Sequence, residues 1–534
     1  MPGLSTLTDG WKSFSGTEKR NIAIYICGIM LYKFGLEAFN GSIIALCTNR
    51  YDYDAQLAGV PPKTFERVGL VTGLNQAFQC VGSVLIAPLI KRYRTKNVLA
   101  CAILMFGLCT AILLILDGAT GGIIRPKDWS KNHKKNDYSY YGDYRTDAII
   151  PIYCVAGIAY GMVELIRRVV PRDIVGGNVQ KLRRLDSLVH IFYEVSGTAG
   201  AFCTALALIP SLGNNFSFII TPLLFTVAAI VWHFISDLGF VEEKPDVFAT
   251  KPSYIKSVLG GFWLFFDSAY TGGKIIFRNR KFIWLLPGYA IALYGHRYLE
   301  NGIAPAVAKR YLGNSAWSQI MVGGSNFGEL LGALFVFLFT QVIKTPIAWL
   351  RLDSLLLLIV WYLPFWYPPS GRVKDAWMVA GTFIPISFGW AAGDVSLAAY
   401  IQASLARIES TTKNVSPLGA VMAFLYSTYI ILYAVASPLL GRYIDRVYTE
   451  TGSIHHALVN VAGVHFTVLS AIIMAATFVP YGALSFNPSM LNNEDLETEV
   501  KANLGVDEFD VSLVKSKEQA ILESKLEKRR TGSI

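Results

Sequence analysis

What this chain lacks narrows its class first. Its seven cysteines (Cys27, Cys47, Cys80, Cys101, Cys109, Cys154 and Cys203) form no Cys-x-x-Cys pair. That pattern supports neither a disulfide framework nor a zinc site, so no metal is expected. The thiols read instead as small apolar packing groups. No Gly-x-x-x-x-Gly-Lys-[Ser/Thr] occurs, which removes an ATP-driven pump. Neither a Ser/His/Asp nor a His-x-x-x-Asp constellation stands out, so the chain reads as no enzyme. Charge is sparse, with Lys, Arg, Asp and Glu at 16% of 534 residues. Residues 1–20 are polar, and the first apolar run is too long for the h-region of a cleavable signal peptide.

What is present is apolar. Hydrophobic residues make up 53% of the chain and mean hydropathy is +0.41. A helix needs about 20 apolar residues to cross a hydrocarbon core of about 30 Å. Runs of that kind are expected at 21–47, 68–90, 97–117, 148–168, 187–210, 216–238, 282–305, 317–342, 347–367, 376–402, 417–440 and 456–481. The expected fold class is therefore all-α, a polytopic membrane protein of twelve transmembrane helices in two six-helix bundles. Its parts are an N-terminus (1–20), a first bundle (21–238), a middle loop (239–281), a second bundle (282–484) and a charged tail (485–534).

The net charge of +10 reports topology rather than nucleic-acid binding. Basic clusters fall in alternate loops: Lys91 to Lys96, Arg167-Arg168 through Arg183-Arg184, and Lys274 through Lys281. Both termini are accordingly expected in the cytosol. Loop 118–147 is the exception, with six Lys/Arg and four Asp. A sequon, Asn215-Phe216-Ser217, marks Asn215 as a glycosylation candidate close to the membrane. In the middle loop, Ser257 to Phe277 is aromatic, broken by Gly260-Gly261 and Asp267, and reads as an interfacial helix. The tail holds ten acids and seven bases and reads as disordered or a loose helix.

The halves repeat one another. Gly73-x-x-Gln76-x-x-Gln79-x-x-Gly82 matches Gly323-x-x-Asn326-x-x-Glu329-x-x-Gly332 at an offset of 250. Gly157-x-Ala159-x-Gly161-x-Val163-x-Leu165 matches Gly389-x-Ala391-x-Gly393-x-Val395-x-Leu397 at 232. Asn40-Gly41…Arg50-Tyr51 matches Asn301-Gly302…Arg310-Tyr311 at 261 and 260. Three ordered matches describe a parallel six-helix repeat with a binding site between halves.

On these residues the chain resembles the major facilitator superfamily from residue 21 to about 484. The family's gate loop, G-x-L-A-D-R-x-G-R-[RK], is matched here by Leu89, Arg92 and Lys96, with Lys91 in place of the acid. Tyr153 replaces the arginine of span four, and Gly197-Thr198-Ala199-Gly200-Ala201 lacks the proline of the antiporter motif. The resemblance implies that spans one, two, four, five, seven, eight, ten and eleven line a central cavity, and that Arg92 and Lys96 take part in gating. It also implies alternating access.

Ionisable groups within a membrane cost about 2.5–3.5 kcal/mol each on insertion scales, so they mark function. Lys33 and Glu37 share one face of span one, near Asn40; span seven carries His296, Arg297, Glu300 and Asn301 at matching depth. Gln76, Gln79, Asn326 and Glu329 lie on spans two and eight, and Asp394 on span ten. Lys33 and Arg297 either bind an anionic group or neutralise neighbouring acids. Glu37, Glu300, Glu329 and Asp394 are candidate proton carriers by depth. His190 and Glu194 form a stripe with Asp186 that reads as a proton relay or inner gate, a structural stripe or, less well, a metal site. Glu164 reads as an inner-side salt bridge with Arg167 and Arg168, and Glu164 and Arg168 are candidate gating residues. Tyr294 and Tyr426, among other aromatics, either stack on a ring-bearing solute or pack.

The expectation is a monomeric secondary transporter of a small organic anion or zwitterion, an exported metabolite being one candidate, proton-coupled and with no cofactor. Its partners are the solute, protons and lipid, in the plasma membrane or else an organelle membrane. A solute sensor of the same fold and a membrane-embedded acyltransferase using His190 are the alternatives.

Overall fold

The computed structural model describes residues 11, 14–90, 92–133, 136–175, 179–236, 253–339, 342–343, 345–405, 417–480 and 482–485. Lys91, the middle-loop residues 239–252 and the tail from 486 onward lie outside them. The described residues form twelve helical segments in the order expected. They are α1 (Gly16–Ala58), α2 (Thr64–Ile90), α3 (Thr95–Ala119), α4 (Ile149–Val175), α5 (179–212) and α6 (Ser217–His233), then α7 (280–311), α8 (Ser318–Phe339), α9 (Ile347–Phe365), α10 (Val373–Leu405), α11 (Pro417–Thr451) and α12 (His455–Ala476). Among the described residues, nine helices are long and apolar enough to cross a membrane by length and composition. Of the other three, α6 is short and apolar, α7 is broken by π turns, and α8 carries Glu329. We call the side on which the chain enters α1 the near face and the other the far face.

Helix α1 is the longest element, with 43 residues, or about 64 Å at 1.5 Å per residue. Its start is fixed by a capping box, in which Ser15 accepts from the Glu18 N–H and Glu18 accepts from the Ser15 N–H. Gly59, at φ +64°, ends it in the left-handed conformation that a residue with a Cβ avoids. Being about twice the hydrocarbon thickness, α1 projects at both faces. Its near end is tied to α5 through Glu18–Lys181 (2.8 Å), and its far end carries Asn49 to Asp54 to the opposite bundle.

Each bundle has its own hydrophobic core, one built mainly from α1–α6 and the other from α7–α12. Inside each, the second and fourth helices meet at backbone distance. A Cβ added to Gly161 would lie 2.0 Å from the Gln79 carbonyl oxygen, and one on Gly82 1.9 Å from that of Ile158. In the second bundle, a Cβ on Gly332 would lie 2.4 Å from the Phe388 carbonyl oxygen. Glycine is required because backbone on both sides leaves nothing able to yield. Gly161→Ala is therefore expected to destabilise the protein by about 1–3 kcal/mol through overpacking; the check is its thermal unfolding in detergent.

These contacts define the repeat and correct one part of the alignment. Gly82 and Gly332 are equivalent at the offset of 250. Their carbonyl partners, Ile158 and Phe388, differ by 230 rather than 232. The same register pairs Gly157 with Ser387. Gly389, aligned with Gly157 by sequence, instead packs on Asp353 of α9. Two residues turn a helix by about 200°, so the small-residue match between spans four and ten joins opposite faces.

The bundles meet along α2–α11 and α5–α8. Gly73 abuts Ala434 on the first contact and Gly323 abuts Phe202 on the second, so equivalent glycines serve equivalent seams. A further helix, Tyr254–Arg278, leans on the near-face ends of α2 and α11. Its Tyr254 hydroxyl donates to the Leu85 carbonyl (3.0 Å), and Gly272 lies against Ala420. Both of its ends thus meet the same face. Its outer stripe, including Ile255, Leu259, Trp263 and Phe266, is exposed, as suits a helix lying against lipid.

Candidate functional site

Charged side chains converge where the two bundles face one another. On α1, Lys33 and Glu37 are one turn apart and form a buried pair at 2.5 Å. The Lys33 ammonium also lies 4.5 Å from the centroid of the Tyr193 ring on α5. It reaches this position because residue 197 is glycine: a Cβ there would be 2.5 Å from Lys33 Cε and 3.2 Å from Asn326 Nδ2. Lys33 of one half and Asn326 of the other therefore meet over Gly197. Arg167 sits 4.5 Å from the same Tyr193 ring, pairs with Glu164 at 2.6 Å, and Tyr32 donates to Glu164 at 3.0 Å. Tyr193 thus joins two ion pairs through cation–π contacts.

The second half supplies Arg297 and Glu300, paired at 2.8 Å on α7. The other Glu300 oxygen accepts from Ser325 (2.6 Å), which is bonded to Ser387 (2.6 Å). The Arg297 side chain keeps 41% of its surface exposed, although its neighbours from Leu293 to Glu300 are otherwise buried. One part of this guanidinium is held and the rest is open. Helix α7 is unusual here, because π turns at Leu286–Ile291, Leu299–Ile303 and Val307–Tyr311 interrupt it. Its two prolines, Pro287 and Pro305, lie in or beside these turns, where a missing N–H and ring bulk loosen regular hydrogen bonding.

The ion pairs leave a remainder. Lys33, Arg167 and Arg297 are matched by Glu37, Glu164 and Glu300. Glu194, Glu329 and Asp394 make no ion pair with a described residue, and Arg168 is the one cation of the group without such a pair. Glu329 on α8 lies within electrostatic reach of Glu194 on α5, and also of Glu300, Arg297 and Lys33. Glu194 is buried, and its Oε2 has no hydrogen-bond partner. Asp394 has His190, Arg168, Arg297 and His296 around it, and His190 Nε2 is also buried without a partner. Arg168 is exposed at the near-face side of the seam and faces Tyr426 and Tyr289 of the other half.

Several residues singled out in the sequence are committed to partners of their own. His296 turns into the second bundle, bonded to Asp353 and stacked on Trp390; one step along a helix is about 100°, so it and Arg297 cannot share a direction. Tyr294 is buried against α12, with its hydroxyl on His465. Gln79 donates to Asn75 within α2, and Asn40 accepts from Tyr153 inside the first bundle. Gln76 is half-buried. Arg92 donates to Ser257 of the near-face helix, and Lys96 to the Ile235 carbonyl after α6. These two bonds tie elements at the near face rather than bundle to bundle. Asn215 is 0% exposed, and its amide donates to Asp117 (2.7 Å) and the Ile123 carbonyl. In the folded protein that leaves a glycan no room.

A set of far-face residues went unrecognised in the sequence. Arg310 forks onto both oxygens of Asp52 (2.8 Å each), and Lys309 adds Asp52 (3.6 Å), Asn49 (2.9 Å) and the Tyr138 hydroxyl (3.3 Å). Asp445 of α11 accepts the N–H groups of Phe65 and Glu66 (2.8 and 2.9 Å), serving the positive N-terminal end of α2. Every one of these bonds joins one half to the other. The repeated Arg-Tyr at the ends of spans one and seven was the available signal, since Arg310 is half of that repeat. The two halves are latched together at the far face, while Arg168 and the Arg297 side chain keep exposed surface.

No family model and no curated protein matches the chain. Solved structures do. A point mutant of the nucleoside transporter NupG superposes with a TM-score of 0.54 at 13% identity, covering 85% of this chain and 99% of that one. A D-xylose–proton symporter gives 0.54 at 11%, covering 88% and 98%. A bacterial homologue of the human drug peptide transporters PepT1 and PepT2 gives 0.53 at 11%, covering 86% and 98%. Two six-helix bundles, a repeat relating them and these neighbours together make the chain an integral membrane protein with the major facilitator fold.

Proposed function

We propose that the chain is a secondary active transporter that carries a small organic anion or zwitterion across the membrane by alternating access, coupled to protons. One observation carries this reading: acids without cation partners stand at the seam beside an arginine that is only half used. Arg297 offers the open part of its guanidinium to a carboxylate or similar anion, for which its planar fork is suited. Lys33, Asn326 and Tyr426 stand ready on neighbouring helices. Glu329, with Glu194 of the opposite half within electrostatic reach, takes the coupling role. The proton is taken up as the halves close on one another and released as water separates them. Asp394, with His190 beside it, forms a second proton-holding place nearer Arg168. The far-face latch keeps one side shut while the other is open.

The test is uptake by purified protein in proteoliposomes with an imposed pH gradient, screened over a mixed metabolite extract. At least one organic anion or zwitterion should accumulate only when the gradient is present, with trapped pyranine reporting the accompanying protons. Arg297→Gln should reduce that accumulation by about tenfold or more, in line with loss of a charge-assisted bond worth about 1.5–3 kcal/mol. Equal uptake with and without the gradient overturns coupling, and an unchanged response in Arg297→Gln removes that residue from binding.

A further inference from the structure

The second bundle holds a buried His–Asp pair that joins α7 to α9. His296 Nε2 and Asp353 Oδ1 are 2.8 Å apart, with side chains 4% and 0% exposed. The imidazole stacks on Trp390 of α10 at 5.1 Å and 27°. The second oxygen of Asp353 and Nδ1 of His296 are buried without hydrogen-bond partners. Asp353 is brought close by Gly389, whose added Cβ would lie 2.9 Å from the Asp353 Cα. Burying two polar groups costs desolvation that their single contact only partly offsets, so the pair's role is one of position.

That role lies in the geometry of α7. The short regular stretch Ala292–Tyr298 is bounded on both sides by π turns, Leu286–Ile291 and Leu299–Ile303. A π turn takes up one extra residue, so a π turn lost on one side of this stretch and regained on the other swings the residues between by about 100°. A helix interrupted in this way does not by itself hold a single azimuth. His296 lies within that stretch, and the next residue is Arg297. We propose that the His296–Asp353 bond pins this stretch to α9 and thereby aims the Arg297 guanidinium at the seam. His296 and Asp353 are thus positioning residues that act through Arg297. This role rests on the reading of Arg297 as the binding cation.

The test needs no substrate. In full-length protein with the seven native cysteines replaced, Arg297→Cys is introduced and its labelling by a charged methanethiosulfonate is followed in proteoliposomes. Asp353→Leu, and separately His296→Phe, which keeps the stacking but not the bond, should each slow labelling at least tenfold. Asp353→Asn, which can still accept the imidazole N–H, should stay within twofold. A folded variant that lacks the bond and labels at the starting rate overturns the proposal. So does failure of both disruptive variants to fold when Asp353→Asn folds, because the pair is then a stability element only. Loss of proton-driven uptake with the labelling pattern intact would count against the transport reading alone.

Discussion

With Glu329 replaced by Gln, an imposed pH gradient should no longer drive solute into proteoliposomes, while solute still exchanges down its own gradient. Among the described residues named above, six acids and four cations gather where the halves face one another. Three of the acids are held in ion pairs at 2.5 to 2.8 Å, which leaves Glu194, Glu329 and Asp394 as the acids proposed for coupling. Gln at position 329 imitates the protonated carboxyl and cannot release it, so the carrier retains its mobile form but loses the step that senses pH. One proton per solute across a two-unit step is worth about 2.7 kcal/mol, or about a hundredfold accumulation; in the variant this should fall to simple equilibration. Glu194→Gln should behave alike, since either carboxyl of the facing pair is needed for the repulsion. Glu300→Gln should differ, because Glu300 is held by Arg297 and Ser325; its loss frees Arg297 and alters solute affinity first. Accumulation that persists in Glu329→Gln would move the coupling site elsewhere, with Asp394 next to be tested by the same assay.

The parts of this site that could be read from the sequence are those set by local spacing. Lys33–Glu37, Glu164–Arg167 and Arg297–Glu300 are three or four residues apart, so helix geometry alone places each pair on one face. The repeat of α2 in α8 was legible for a similar reason, since Gly73 and Gly82 recur at one offset and serve equivalent contacts in both halves. What could not be read depends on how one helix is turned against another. The partner of His296 is Asp353, 57 residues away on span nine, which is not among the spans that the resemblance implies line the cavity. The register of α4 against α10 was off by two residues because small residues recur along any closely packed membrane helix. Asn215 fits a sequon but is enclosed by Asp117 and the Ile123 carbonyl, and only the folded loops show that. The π turns of α7 leave no period in the sequence at all.

Asp52→Ala should release the far face. In the latched state Arg310 is 8% exposed and Asp52 is 15% exposed, so removing the carboxylate strips the guanidinium of its bidentate partner where little water reaches it. Breaking one side of a buried pair costs about 3–5 kcal/mol. Here the cost falls on the latched conformation alone, because separating the halves returns the guanidinium to solvent. Even half of that penalty shifts the balance between the two openings by more than tenfold. Just below the latch, Ser437 lines a small void with Phe65, Gly69, Tyr298 and Asn301 and is buried. Ser437→Cys, in protein without native cysteines, adds little bulk there and reports on far-side access. Its labelling by a membrane-impermeant thiol reagent from the far side should be slow in the parent and at least tenfold faster with Asp52→Ala. Arg310→Gln should give a smaller increase, since Lys309 still holds Asp52. Asp445→Ala loosens α2 from α11 without stranding a cation, so its effect should be smaller again. An unchanged labelling rate in Asp52→Ala would mean that the close backbone contact of Gly441 on Phe65, rather than charge, holds the far face shut.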